Sequence, residues 1–173
     1  MQICIGDSFW KKNWRRRNKK MQRTNQNRNV EQSYRTLLII WFALLNSQLL
    51  FLVVLYFAGP KVFEFDFSKS LLGENAAMVI VLAVLGVSTF LLSFVLRRRF
   101  INQAIAEQKM EFVQTAMIIG CSLCEATSLF GLVLAFSLNY QYFFAWFALG
   151  ILGTVLHFPR RENLIAASYK RVK

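Results

Sequence analysis

The chain has 173 residues, of which 55% are hydrophobic and 15% aromatic, and its formal net charge is +12. A water-soluble domain of this length could not bury so much apolar surface, so the composition excludes a soluble globular protein. The basic residues are segregated from long apolar runs, which is typical of an integral membrane protein.

Residues 1–35 form a basic arm with ten Lys or Arg residues against two acidic ones. Trp10 and Trp14 lie among the basic residues, a pattern typical of segments that rest on a membrane surface or contact an acidic partner. Because Lys and Arg beside membrane spans attract anionic lipid headgroups, we favour a lipid partner over nucleic acid. The polar stretch Met21–Gln32 predicts a flexible linker, so we expect a largely flexible arm, with Met21 as an alternative start of translation.

Four apolar runs follow the arm, and each is long enough to cross a bilayer as a helix. These runs are Thr36–Gly59, Ala76–Leu96, Thr115–Leu138 and Tyr142–Phe158. The last run is short and would rely on tilt or on local thinning of the bilayer. The sequence therefore predicts an all-α, polytopic membrane protein with four transmembrane helices over residues 36–158, followed by a basic tail over residues 159–173.

The distribution of charge predicts the orientation of these spans. Lys and Arg are concentrated in the arm, in the connection between the second and third spans, and in the tail. The first connection is slightly acidic, and the third, Asn139–Gln141, is uncharged. The positive-inside rule then places both termini in the cytoplasm, and we expect the inner membrane of a bacterium as the location.

The first and third spans resemble each other when they are aligned without gaps at an offset of 79 residues. Nine positions are identical, beginning with Thr36 and Thr115. In this alignment Asn46 corresponds to Glu125, and Gln48 corresponds to Thr127. We therefore expect two tandem two-helix units in the same orientation, which is the arrangement of a parallel repeat.

Glu125 is the single charged residue inside the four predicted spans. Its separation of ten residues from Thr115 places it about 15 Å into the helix, close to the bilayer midplane. A carboxylate there costs several kcal/mol unless it is neutralised, paired or hydrated, so Glu125 is the first candidate for function. Four polar residues are expected to complete an ion-binding group with it: Asn46, Gln48, Thr127 and Ser128.

Small residues recur at every third or fourth position of the third span. They are Gly120, Cys124, Ser128, Gly131 and Ala135. This spacing predicts a face on which a neighbouring helix approaches closely. Cys121 and Cys124 form a CxxC pair, but zinc requires further ligands, and the one histidine, His157, lies at the far end of another span. We therefore expect helix packing here and no metal.

The stretch Gly120–Phe136 resembles the ion-binding helix of the c subunit (proteolipid) of rotary ATP synthases, in which a carboxylate precedes a Gly-Leu-Val-x-Ala-Phe run. The segment Ala104–Lys109 looks like the short polar loop of that family, so the resemblance covers about residues 100–138. It implies that Glu125 carries a proton, and Ala126 after it is closer to proton-type than to sodium-type members. The second span has one glycine where the family has several, so we do not expect a closely packed ring.

A second interpretation involves no ion movement. The chain would be a non-transporting accessory or structural subunit of a larger membrane complex, with Glu125 hydrogen-bonded to Asn46 between helices. Its partners would be other membrane subunits or further copies of the chain, besides the lipid bilayer itself. We expect no enzyme activity and no cofactor, because the spans hold no Ser/His or Cys/His pair and no paired acids. His157 would cap a helix or meet lipid headgroups.

Overall fold

The computed structural model describes residues 6–59, 63 and 75–168. Within this part of the chain there is no β-strand, and the predicted all-α class is confirmed. In chain order the helices are α1 (Gly6–Ala58), α2 (Ala76–Glu107), α3 (Glu111–Leu138), α4 (Phe144–Leu156) and α5 (Arg161–Ser168), with a 3₁₀ turn over Gln141–Phe143 before α4. Most of the first connection and residues 169–173 of the tail lie outside the described residues.

α1 is one continuous helix of 53 residues that joins the basic arm to the first span. The flexible linker predicted over Met21–Gln32 is therefore wrong, since these residues are helical. No proline or glycine interrupts residues 7–58, and extending an existing helix is far easier than nucleating a new one. Val30 and Leu37 also belong to a buried apolar cluster with residues of α5, which stabilises this part of α1.

Three helices are long and apolar enough to cross a membrane: Thr24–Ala58 within α1, the whole of α2 and the whole of α3. The predicted fourth span is interrupted, because α4 has only 13 residues and is about 20 Å long. α5 follows it at an angle of 46°. Pro159 lies in the break, and proline disfavours helical backbone at the residue before it. Among the described residues there are thus three helices suited to crossing a membrane, or four if α4 and α5 are counted as one bent span.

α3 lies at the centre of the bundle, and it is the most buried of the three long spans. α1 runs parallel to α3, because their contacts keep a nearly constant offset along both helices. Near one end Leu37 shares a buried cluster with Val113, and near the other end Leu55 shares one with Ala135. The two helices therefore form a parallel seam that passes Glu125.

Tight turns reverse the chain at both ends of α3. Gln108 ends α2 with φ 56°, and Asn139 ends α3 with φ 45°, so both residues adopt the left-handed conformation common at helix C-termini. α2 continues to Glu107, so the polar loop expected over Ala104–Lys109 is mostly the last turn of a helix, and Ala104 is buried. These turns make α2 and α4 antiparallel to α3.

Candidate functional site

Glu125 lies on the side of α3 that faces α1, and its side chain is half-buried. Its Oε1 atom is 2.5 Å from the Oγ of Ser47 on α1. Ser47 Oγ is also 2.8 Å from the carbonyl oxygen of Leu44 on its own helix. Ser47 Oγ donates a hydrogen bond to Glu125 Oε1, and the carbonyl oxygen of Leu44 is a second acceptor beside the same hydroxyl. The contact therefore joins α3 to α1 at the level of Glu125.

The residue expected to pair with Glu125, Asn46, lies elsewhere. Asn46 is exposed on α1, and its Nδ2 donates a hydrogen bond to the carbonyl oxygen of Phe42 at 2.8 Å. Neighbouring helix residues point about 100° apart, so a step of one residue decides which side chain reaches α3. The predicted Asn46–Glu125 pair is wrong, because Ser47 occupies that place and the helices meet here at an offset of 78 residues.

Gln48 is fully buried at the junction of α1, α3 and α4. Its Nε2 donates to the Oγ1 of Thr154 on α4 at 2.6 Å, and Ser128 Oγ on α3 donates to Gln48 Oε1 at 3.3 Å. Trp41 of α1 adds a hydrogen bond from Nε1 to the carbonyl oxygen of Thr154 at 2.8 Å. The structure thus brings Gln48 and Ser128 together, but in a hydrogen-bonded link between three helices.

Thr127 lies on the side of α3 that faces α2. Its Oγ1 is 3.1 Å from the Oγ1 of Thr89 and 3.4 Å from the carbonyl oxygen of Gly86, both on α2. The five residues expected to form one ion-binding group therefore occupy four separate environments. Glu125 contacts Ser47, Gln48 and Ser128 contact α4, Thr127 contacts α2, and Asn46 faces outward.

The small-residue face of α3 is the surface on which α4 packs. A Cβ added at Gly150 of α4 would lie 2.0 Å from Ser128 Oγ and 2.7 Å from the backbone oxygen of Cys124. A Cβ at Gly131 of α3 would lie 2.6 Å from the Cβ of Trp146 on α4. Small residues on both helices thus allow their backbones to approach closely, as the spacing on α3 predicts. Two further members of the set, Gly120 and Ala135, are buried at opposite ends of this contact.

His157 is a buried residue whose surroundings the sequence did not indicate. Of the two expectations for His157, the helix cap is correct, because it is the C-terminal cap residue of α4, whereas its imidazole is fully buried and away from lipid headgroups. It packs against Gly120, and its ring centroid is 4.6 Å from that of Phe94. Nδ1 is 2.7 Å from the carbonyl oxygen of Gly153 and donates a hydrogen bond to it, because a carbonyl oxygen only accepts. Nε2 has no hydrogen-bond partner among the described residues. The signal in the sequence that could have indicated this burial is Gly120, because a glycine at that position leaves room for the imidazole ring.

Arg97 of α2 holds the end of α4 where the fourth span breaks. Its Nη1 donates to the carbonyl oxygen of Leu156 at 3.1 Å, and its Nη2 donates to that of Phe158 at 3.0 Å. These carbonyl groups have lost their helical donors, so the guanidinium satisfies acceptors that the break exposes.

Cys121 and Cys124 are buried free thiols nearby on α3, and no group of three metal-ligating side chains occurs among the described residues.

Two clefts lie at the end of the bundle where α2 meets α3, and Glu125 lines neither of them. One is a cavity of about 10 Å³ beside Arg97, with room for no more than about one water molecule. The other is an open surface cleft of about 360 Å³ lined by α1 and the start of α3.

Comparison of the chain with protein-family models, with curated proteins and with solved structures finds no match. The function is therefore inferred from the residues of this chain.

Proposed function

We propose that the protein is a non-transporting, membrane-embedded subunit that assembles with other membrane proteins, and that Glu125 joins α1 to α3 within it. The contact between Ser47 Oγ and Glu125 Oε1 carries this proposal, because it satisfies the carboxyl group inside the chain. An ion-carrying carboxyl group must instead meet water during each cycle. An interhelical hydrogen bond in a membrane contributes about 0.6–2 kcal/mol, which suits a structural role.

The surroundings of Glu125 also support a structural role. Gln48 and Thr127, which an ion site would recruit, donate or accept hydrogen bonds on other helices. Lipid tails provide no hydrophobic driving force between helices, so a membrane bundle depends on such bonds and on close packing. The buried polar residues of this bundle are distributed along the contacts between its helices, which is the arrangement expected of a protein whose role is structural.

The proposal includes the membrane topology. α4 with its preceding turn crosses as the short fourth span, helped by local thinning of the bilayer, and α5 lies beyond it on the cytoplasmic side. The parallel course of α1 and α3 supports two tandem two-helix units. Both basic termini lie in the cytoplasm, next to anionic lipids of a bacterial inner membrane. Helix faces that remain uncovered within the chain are then available to lipid and to partner subunits.

The test compares Glu125→Gln with Glu125→Leu in the full chain. The amide of Gln can still hydrogen-bond to Ser47, whereas Leu cannot. We expect the wild-type chain and Glu125→Gln to co-purify with the same membrane proteins, and Glu125→Leu to unfold at a lower temperature. Liposomes containing the wild-type chain should conduct no more protons than protein-free liposomes. A wild-type proton flux that Glu125→Gln abolishes, or a wild-type chain that purifies as a lone, monodisperse bundle, would contradict the proposal.

A second candidate function is proton movement in the manner of a c-type proteolipid. One observation favours it: Glu125 is a half-buried carboxyl group near the bilayer midplane, in a stretch that resembles the proton-carrying helix of that family. A carbodiimide modifies protonated carboxyl groups in membranes, so it should then label Glu125 and block proton flux. Labelling and flux that are unchanged in Glu125→Gln would eliminate this candidate.

A further inference from the structure

Asn46 lies at the centre of the side of α1 that is turned away from the rest of the bundle. The buried residues Leu37, Gln48 and Leu55 are about 160–180° around the helix from it. The side chains around Asn46 on the same side are exposed, and those of Ile39 and Leu50 are 70% and 60% exposed. We call this side the outer face of α1. No helix of the described chain covers it.

A carboxamide at this place is costly if only lipid surrounds it. Asn46 is ten residues from Thr36, the start of the first apolar run, so it lies about 15 Å into the span and near the bilayer midplane. Its one hydrogen bond within the described chain uses one N–H group, to the carbonyl oxygen of Phe42. A second N–H group and the side-chain carbonyl oxygen remain, and leaving them unpaired in hydrocarbon costs free energy. A partner at this depth must therefore offer both a donor and an acceptor.

A second copy of α1 meets this requirement, because two carboxamides can exchange N–H···O=C hydrogen bonds across a twofold axis. The apolar residues of the outer face also follow the alternating three- and four-residue spacing of a two-stranded coiled coil. Along this seam the residues are Ile39, Phe42, Asn46, Leu49, Val53 and Tyr56. A single asparagine in such a seam fixes the register and favours two parallel strands.

We propose that the outer face of α1 is a homodimer interface, in which two copies of the protein pack in parallel with the twofold axis beside Asn46. The two Asn46 carboxamides hydrogen-bond to each other, and the apolar side chains of the seam pack above and below them. Asn46, at the centre of this interface, lies about 100° around α1 from Ser47, so the interface does not include the Ser47–Glu125 contact and does not depend on the function proposed for Glu125.

Disulfide cross-linking in the full chain tests the interface directly. Val53→Cys places a thiol in the seam, where the twofold axis brings it next to its copy, and Val84→Cys places one on the exposed side of α2 as a matched control. Both valines are about half exposed or more. Cys4→Ser removes one native thiol from each variant, and the buried Cys121 and Cys124 can remain. In oxidised membrane vesicles we expect a covalent dimer for Val53→Cys and none for Val84→Cys. Equal yields from the two variants, whether high or absent, would overturn the interface.

Asn46→Leu tests the role of the carboxamide. An interhelical hydrogen bond worth about 1–2 kcal/mol corresponds to a roughly tenfold weaker dimer, measured by energy transfer between labelled chains diluted in lipid. Because Asn46 is exposed, the unfolding temperature of the monomer should not fall in this variant. Val84→Leu serves as the control and should leave association unchanged. An unchanged dimer fraction in Asn46→Leu would overturn the proposal, and so would a wild-type chain that stays monomeric or associates only with a different membrane protein.

Discussion

Ser47 and Asn46 are neighbours in the chain, but their side chains lie in opposite surroundings. Ser47 Oγ lies in the seam between α1 and α3, within 2.5 Å of Glu125 Oε1. Asn46 is exposed and bonds only to its own helix among the described residues. The stability of the folded monomer should therefore depend on Ser47 and very little on Asn46.

We predict that Ser47→Ala lowers the free energy of unfolding by about 0.6–1.5 kcal/mol, because it leaves Glu125 without its partner in the seam. Asn46→Ala is the matched control and should have little effect on the unfolding of the monomer. The measurement is reversible unfolding in mixed micelles at a protein concentration low enough to keep the chain monomeric. A larger loss of stability in Asn46→Ala than in Ser47→Ala would contradict the assignment of Ser47, rather than Asn46, to the contact between α1 and α3.

At this scale the sequence singled out Glu125 as a candidate but did not identify its hydrogen-bond partner. A lone acid in an apolar run is visible without a structure, since its cost depends only on its depth. Its partner depends on the rotation of α1 about its own axis, and a rotation of about 100° exchanges Asn46 for Ser47. The burial of His157 was not predicted for a related reason, because Gly120, the glycine that makes room for its ring, lies on another helix.

Between elements, α3 and α4 approach each other closely. Gly150 of α4 lies against Ser128 and the backbone of Cys124, where no additional atom fits. The polar link through Gln48 crosses the same region and ties in α1. Close approach and hydrogen bonding thus coincide at one level of the bundle.

Gly150→Ala should destabilise the protein by about 1–3 kcal/mol, because its Cβ would lie 2.7 Å from the backbone oxygen of Cys124, which cannot move without shifting α3. Gly86→Ala is the control, since the three atoms nearest to its Cβ belong to the side chain of Trp146 and not to the backbone of a neighbouring helix. Both are measured by unfolding in mixed micelles. If Gly86→Ala costs as much as Gly150→Ala, the α3–α4 contact is looser than described.

The sequence predicted the positions of the long helices well and their ends poorly. Hydropathy alone locates α2 and α3, because a span must be apolar over a bilayer thickness. The small-residue spacing on α3 likewise predicted the packing face. The N-terminal extension of α1 was missed, since its composition suggests disorder while its helicity is propagated from the span that follows. The break at Pro159 shortened the last span for a local reason, the restriction of backbone before proline.

For the molecule as a whole, the arrangement predicts which surfaces are on the same side of the membrane. Single cysteines at Asn29 and Glu162 should react with a membrane-impermeant thiol reagent in inside-out vesicles, because α5 packs on the N-terminal half of α1 and both residues are exposed. A cysteine at Asn75, at the start of α2, should react only in vesicles of the opposite orientation. Labelling of all three residues from one side would contradict the proposed topology.

The length of α1 has a mechanical consequence. About 45 Å of helix separates Gly6 from Thr36, and no proline or glycine lies between them to act as a hinge. A change of about 10° in the tilt of the membrane segment would therefore move the far end of the basic arm by about 8 Å. A rigid α1 would in this way act as a lever, because a tilt of its membrane segment becomes a displacement of positive charge at its N-terminal end.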